Sequence, residues 1–283
     1  MNHETPASGA PPLDPQAIAD AFVQARLKGR ALPDFPGGTL PFDLETAYRI
    51  QDLAIAAWPD TVVGWKVGFI APERRDVSGD ERLLGPIFAR QCWQAGDGGL
   101  LPVPVFSTAG GFAAVEAEYV LELLADAPVG KTDWTPEEAA AHPARLYVGV
   151  EVASSPLATI NALGPCVVVS DFGNNNGLVL GPEIADWTAT TDTALVARTL
   201  IDGQPVGEGG AMRLPGGLRA AFAFALSRSA RRGRPLRKGE LIATGNATGI
   251  HDIVQDQVAE VQFDGVAVLR CQAVAAPRMV AED

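Results

Sequence analysis

From Thr61 onward, short runs rich in Val, Ile, Leu and aromatic residues alternate with turn residues drawn from the chain's 30 glycines and 22 prolines. That punctuation constrains the fold more than any other feature, because it forbids long helices and favours strands joined by turns. Strands are expected at Val62–Phe69, Ala114–Leu124, Leu146–Ala153, Cys166–Ser170, Gly177–Leu180, Leu195–Ile201 and Glu240–Thr244. A terminal hairpin follows, Val258–Phe263 and Val266–Cys271, turned by Asp264-Gly265, which supplies the positive-φ positions of a type I′ turn. Two helices precede this region. Pro15–Arg30 places Ile18, Ala21, Phe22 and Ala25 at helical spacing behind an Asp14 cap, and Asp43–Trp58 places Leu44, Ala47, Ile50, Leu53, Ala54 and Ala57 on one stripe. Shorter helices are expected at Pro136–Ala141, capped by Thr135, and at Leu218–Ser229. The organisation reads as a mobile tail over 1–14, a helical lead-in over 15–60, and one β-rich α+β body over 61–283.

Charge and cysteine usage narrow the function classes. The net charge is −12 and the sequence pI about 4.7, so a nucleic-acid partner is disfavoured. The one basic cluster, Arg228, Arg231, Arg232, Arg234, Arg237 and Lys238, reads as the solvated end of a helix and its following loop. No apolar run reaches the roughly 18 residues of a membrane span, and the amino terminus lacks a basic, apolar leader. Three cysteines at wide spacing do not form a disulfide framework, which points to the cytoplasm. With three histidines in all, a metal would have to be held by oxygen ligands.

Candidate chemistry concentrates in Ala113–Leu124. As a strand, this segment projects Glu116 and Glu118 from one face while Val115, Ala117, Tyr119 and Leu121 enter the core. Two carboxylates on one face repel unless a cation neutralises them, and a hard divalent ion suits them. As a helix, favoured by its Ala, Glu and Leu content, the same segment would scatter them as surface charges. Glu151, in the apolar run Tyr147–Val152, can complete a three-carboxylate site or serve as an edge residue. Lys66 lies between Gly64 and Gly68, where bared backbone lets a ligand approach, or stands as an edge-strand lysine. The polar loops Asp171–Gly177 and Ala243–Gly249 are turns when read in isolation.

Taken in order, Gly-Trp-Lys-Val-Gly at 64–68, Val-Glu-Ala-Glu at 115–118, Val-Glu-Val at 150–152, Ser-Asp-Phe-Gly-Asn at 170–174 and Lys-Gly-Glu-Leu-Ile-Ala-Thr-Gly at 238–245 resemble the fumarylacetoacetate hydrolase superfamily. The branch most similar is that of the 2-keto-4-pentenoate hydratases and oxalocrotonate decarboxylases. The resemblance implies curved mixed sheets forming a β-roll, a homo-oligomer, and Mg²⁺ or Mn²⁺ held by Glu116, Glu118 and Glu151. It assigns Lys66 to catalysis, and Asp171, Thr244 and Gly245 to a small 2-oxo acid substrate. The activity it implies first is hydration of a 2-hydroxydienoate in aromatic-compound catabolism. Decarboxylation or C–C hydrolysis at the same metal site is the alternative, and a non-catalytic scaffold ranks last. One departure bears on the reaction. Leu83 stands where such hydratases carry an aspartate, which leaves Asp80 as the replacement acid. C–C hydrolysis would further need a His–Glu pair, for which the tail residue His3 is poorly placed.

Overall fold

The computed structural model describes residues 13–96 and 99–279. The expected tail falls outside the described residues up to residue 12. Asp14 then opens α1 (Pro15–Leu27), its carboxylate accepting from the Gln16 and Ala17 N–H groups. Asp43 caps α2 (Leu44–Ala57) through the Thr46 N–H. Strands β1 (Val62–Phe69), β2 (Arg82–Phe88), β3 (Cys92–Gln94), β4 (Leu100–Val105) and β5 (Phe112–Leu123) follow, then α3 (Pro136–Ala141), whose Thr135 and Glu138 close a capping box. Next come β6 (Ala144–Ser155), α4 (Ile160–Leu163), α5 (Pro165–Ser170), β7 (Asn175–Ile184), β8 (Val196–Ile201), β9 (Gln204–Gly210) and α6 (Gly217–Arg231). The chain closes with β10 (Leu241–Ala243), β11 (His251–Asp252), β12 (Val258–Phe263) and β13 (Ala267–Ala275).

Two mixed sheets result. One runs β2-β1-β10-β5-β6-β7-β3 with β11 added on β5, and the other runs β4-β13-β12-β8-β9. β5 is a strand, so Val115, Ala117, Tyr119 and Leu121 enter the main core with Val261 and Phe263 of β12. The opposite face of the larger sheet carries Ile87, Val120, Leu178, Leu241 and Ala243 in one apolar cluster. β2, carrying Ile87, and β7, carrying Leu178, stand near opposite ends of the strand order yet contact one another and share this cluster, so the sheet curls into a half-barrel around that face. The lead-in helices pack into the same body: Ile18, Phe22, Ile50 and Trp58 share a cluster with Phe88, Val167 and Phe172.

Four expectations need correction. Cys166–Ser170 is helical, because Gly164 (φ 115°) breaks the chain direction and Pro165 is preset for the first turn of a helix. The Asp264-Gly265 turn is not type I′, since only Gly265 has positive φ. β2, β3, β4, β9 and β11 were not anticipated. All lie at a sheet edge or off the main strand order, and Pro86, Pro102, Pro104 and Pro205 within them are tolerated there because an edge needs fewer backbone donors. Finally, Arg228 and Arg232 of the basic cluster are not solvated but stack on the Tyr48 ring at 4.5 and 4.1 Å.

One close approach governs the curled face. Gly85 of β2 pairs with Lys66 and faces the turn after α5. A Cβ on Gly85 would overlap the Phe172 carbonyl oxygen, and one on Gly173 would lie 2.8 Å from the Gly85 Cα. Gly85→Ala is therefore expected to cost at least about 1–3 kcal/mol, lowering Tm by several degrees, whereas Gly96→Ala, with open space around it, should leave Tm unchanged. Thermal unfolding of both variants checks this.

Candidate active site

The register of β5 against β6 sets Glu116 directly opposite Glu151 and Glu118 opposite Gly149. A one-residue slip would send both β5 carboxylates to the other face, so the apolar pattern of β5 fixes the site's geometry. All three glutamates are buried, at 2%, 0% and 1% exposure, and their carboxylate oxygens lie within 4.8 Å of one another. Like charges directly opposite on a sheet destabilise it, and removal from water compounds the cost.

The surroundings support only part of each carboxylate. Lys66 Nζ lies 3.3 Å from Glu151 Oε1, which also accepts from Asn175 Nδ2 at 3.0 Å. The Gly245 N–H donates to Glu118 Oε2 at 2.7 Å, and the Asn246 side chain hydrogen-bonds Glu116. Glu116 Oε1, Glu118 Oε1 and Glu151 Oε2 are buried without a hydrogen-bond partner among the described residues. Each glutamate thus has one free oxygen, and the three carboxylates stand around the same small space. Three carboxylates and one ammonium leave a charge of −2, which one divalent cation balances. Burial, then the charge of Glu151, pushes the Glu116 carboxyl up to about 7, and burial with Glu151 and Glu116 raises Glu118 well above the usual range. Burial alone would lower the Lys66 ammonium, but Glu151, Glu116 and Glu118 together hold it above its ordinary value.

A cavity of about 210 Å³ opens onto this cluster. Lys66, Arg74, Glu116, Asn161, Asn174 and Asn246 supply its polar wall, and Ile70, Leu83, Val168 and Ile250 its apolar wall. Of the two glycines beside Lys66, Gly68 borders the cavity, while Gly64 is needed for close pairing with Leu241. Lys66 Nζ donates to Asn174 Oδ1 at 3.3 Å, and Asn174 Nδ2 donates to Asn161 Oδ1 at 3.1 Å. Asn174 sits in a left-handed turn, Phe172-Gly173-Asn174, with φ of 55°, 65° and 55°. Asn tolerates that region, but for Phe172 it is a strain of about 1–3 kcal/mol that the surroundings must hold.

Four expected site residues sit elsewhere or act differently. Asp80 does not line the cavity; it pairs with Arg228 at 3.3 Å, and burial raises its carboxyl against the pull of Arg228 and Arg231. The wall position itself is apolar Leu83. Asp171 is fully engaged away from the cavity, with both oxygens bound by Arg26 at 2.6 and 3.0 Å and one also by Ser155 Oγ at 2.6 Å. The Thr244 hydroxyl donates to the Tyr119 carbonyl at 2.8 Å. The Thr244-Gly245 turn therefore supports Glu118 rather than presenting donors to the cavity around Lys66. Arg74, Asn161, Asn174 and Asn246 were missed, although the last two lie inside the polar loops already noted.

No protein-family model matches the sequence, and no curated protein matches it. Solved structures do. 4-Oxalocrotonate decarboxylase from Pseudomonas putida G7, in complexes with magnesium and adipate and with calcium and acetate, superposes with TM-scores of 0.74 and 0.73 at 18% identity, covering 92% of this chain and 97% of that one. Fumarylpyruvate hydrolase from Pseudomonas aeruginosa, in complex with Mn²⁺ and pyruvate, gives 0.50 at 16% identity over 74% and 88% of the two chains. A yeast fumarylacetoacetate hydrolase family protein gives 0.51 at 12% identity over 75% and 93%. The chain therefore has the fumarylacetoacetate hydrolase fold.

The raised carboxyls carry a pH signature. A carboxylate whose folded pKa lies above its unfolded value, about 4.3 for Glu, destabilises the metal-free protein progressively as pH rises from that value through about 7. A bound cation replaces those protons and removes the penalty. Tm in EDTA is expected to be higher near pH 5 than near pH 8, and the increase produced by Mg²⁺ or Mn²⁺ should be larger at the higher pH. Differential scanning fluorimetry across that range checks both signs; a metal-induced shift that shrinks with pH would refute them.

Proposed function

We propose that this chain is a divalent-metal-dependent enzyme acting on a small 2-oxo acid, and that the substrate is a dioic acid that it decarboxylates. The observation that carries the metal reading is the set of three buried carboxylate oxygens, one from each of Glu116, Glu118 and Glu151, left without a donor around one point. An all-oxygen set suits Mg²⁺ or Mn²⁺. Bound there, the ion supplies Lewis-acid polarisation of the adjacent ketone and carboxylate oxygens of a 2-oxo acid. Lys66, fixed between Glu151 and Asn174, faces the same cavity as a cation that holds the substrate's proximal carboxylate. Asn161, Asn174 and Asn246 add neutral polar contacts that orient a planar conjugated acid.

Two features favour decarboxylation over hydration. Among the described residues the cavity wall contains no acid except Glu116, because Leu83 occupies the wall and Asp80 is bound to Arg228. Adding water across a conjugated bond calls for a further group to deliver or take protons at the far carbon, whereas loss of CO₂ does not. In that loss, the bond between the terminal carboxylate carbon and its neighbour breaks, and the electron pair delocalises through the conjugated chain to the 2-oxo oxygen. Second, Arg74 lines the cavity with no carboxylate in ion-pair distance among the described residues, its Nη2 donating only to the Ala162 carbonyl at 2.9 Å. A guanidinium so placed suits a second carboxylate on the substrate. Hydration of 2-hydroxypenta-2,4-dienoate is the second reading. C–C hydrolysis ranks below both, since neither His142 nor His251 lines the cavity.

With Mg²⁺ or Mn²⁺ present, 2-oxohex-3-enedioate is expected to release CO₂, while 2-hydroxypenta-2,4-dienoate yields no 4-hydroxy-2-oxopentanoate. Arg74→Met should raise KM for the dioic acid by about 10- to 100-fold, the worth of a charge-assisted hydrogen bond, and leave metal affinity unchanged. A coupled CO₂ assay and product chromatography decide the matter. Hydration of the pentadienoate without CO₂ release would replace the decarboxylase reading with the hydratase one.

A further inference from the structure

The turn that steadies the carboxylate site is itself held from outside. Residues 171–174 join α5 to β7, and with the first two residues of that strand they contain three consecutive asparagines with separate tasks: Asn174 accepts from Lys66, Asn175 donates to Glu151, and Asn176 accepts from Arg26. Arg26, on the lead-in helix α1, grips both ends of this segment with one guanidinium. Its Nε and Nη2 donate to the two Asp171 carboxylate oxygens at 2.6 and 3.0 Å, and its Nη1 donates to Asn176 Oδ1 at 3.0 Å. Nη2 also reaches the Ser154 carbonyl at 3.0 Å, which ties the grip to the end of β6, the strand carrying Glu151. The side chain is 3% exposed and lies against the rings of Phe106 and Phe172. Planarity and a fixed fork of donors are what allow one group to span both ends; a lysine offers neither.

We propose that Arg26 is a positioning residue for the carboxylate site. It closes the 171–176 segment so that the left-handed turn persists and Asn174 and Asn175 stay on Lys66 and Glu151. This rests on the reading of Glu116, Glu118 and Glu151 as a metal site. Loss of the grip frees Glu151 from its Asn175 donor and Lys66 from Asn174, so metal affinity and turnover both fall while Arg26 touches neither ion nor substrate. The second cavity of the region, about 270 Å³, has Arg26 and Asn176 in its wall. It gives a small guanidinium a route to the place that a truncated Arg26 would leave.

The test measures Mn²⁺ affinity by electron paramagnetic resonance in the wild type, Arg26→Ala, Arg26→Lys and the charge-balanced pair Arg26→Gln with Asp171→Asn. The pair keeps the protein readable if the single alanine leaves Asp171 buried, charged and unfolding. Affinity should weaken by about 10- to 100-fold in every variant, the usual effect of losing a group that supports a ligand, and ethylguanidinium should restore Arg26→Ala but not the pair. Wild-type binding with undiminished affinity in the folded variants would overturn the role of Arg26 alone. Absence of Mn²⁺ binding by the wild type would overturn the metal reading and this proposal with it. Where turnover is measurable, the variants should lose kcat more than KM for the substrate, since the substrate's own contacts remain.

Discussion

Everything about this structure follows from mutual repulsion among three glutamates that the fold takes out of water together. Glu116 and Glu151 face each other across a strand pair, and Glu118 stands two residues further along the same face. A free carboxylate pair at this separation raises its own pKa until one member is neutral, and a third makes the arrangement worse. The protein answers with a single ammonium, a backbone N–H and two amides, and leaves one oxygen on each glutamate unsatisfied. Unsatisfied oxygens on three neighbouring buried glutamates call for an explanation, and the proposed cation supplies one.

Holding such charges requires rigid neighbours, and the sheet supplies them. β5 and β6 pair without interruption from Phe112–Ser155 to Leu123–Ala144, so the carboxylate spacing is set by the ladder and not by loops. The curl of the sheet then folds β1 and β2 over this face, which brings Lys66 across from Glu151 and leaves Gly85 pressed on the turn at Phe172. Sites built on strands in this way are positioned more closely than sites on flexible connections. Two segments outside the central ladder contribute as well: Gly245 and Asn246, just after β10, support Glu118 and Glu116, and 171–176 is locked from the far side by the lead-in helix.

Much of this was legible in the sequence because its logic is local. Period-two alternation in Ala113–Leu124 identifies the face shared by Glu116 and Glu118, and the Thr135 capping signal locates a helix whose ends match. The strands that went unread, β2, β3, β4, β9 and β11, carry prolines and glycines or are very short, and edge pairing tolerates both where a central strand would not. The helix over Pro165–Ser170 was masked by its β-branched run, which reads as a strand until the Gly164-Pro165 start is given its weight. The placement of Asp80 and Asp171 away from the cavity was not legible for a different reason. Their partners, Arg228 and Arg26, lie 148 and 145 positions away in sequence, and nothing local announces which acids are already taken.

The same long-range pairing separates two parts of the cavity that are held in different ways. The carboxylates, Lys66 and their amide supports are fixed by strand register and by the grip on the 171–176 turn, so they resist change. The opposite wall is not under that constraint: Leu83 stands at the Gly68 pair of β1 and β2, where a side chain contributes to the cavity without contributing to the charge balance. An acid there would add a fourth negative group to a site that already exceeds its cations, and it would need a purpose in proton transfer to be retained. A leucine adds no charge and no proton-transfer group to that wall. Arg74, on the short turn between β1 and β2, lines the same cavity and is the group that, under the proposed reading, would meet a second substrate carboxylate. Under the proposed reading, the carboxylate face would hold the 2-oxo end of the substrate and the opposite wall would decide what happens to the rest of the molecule.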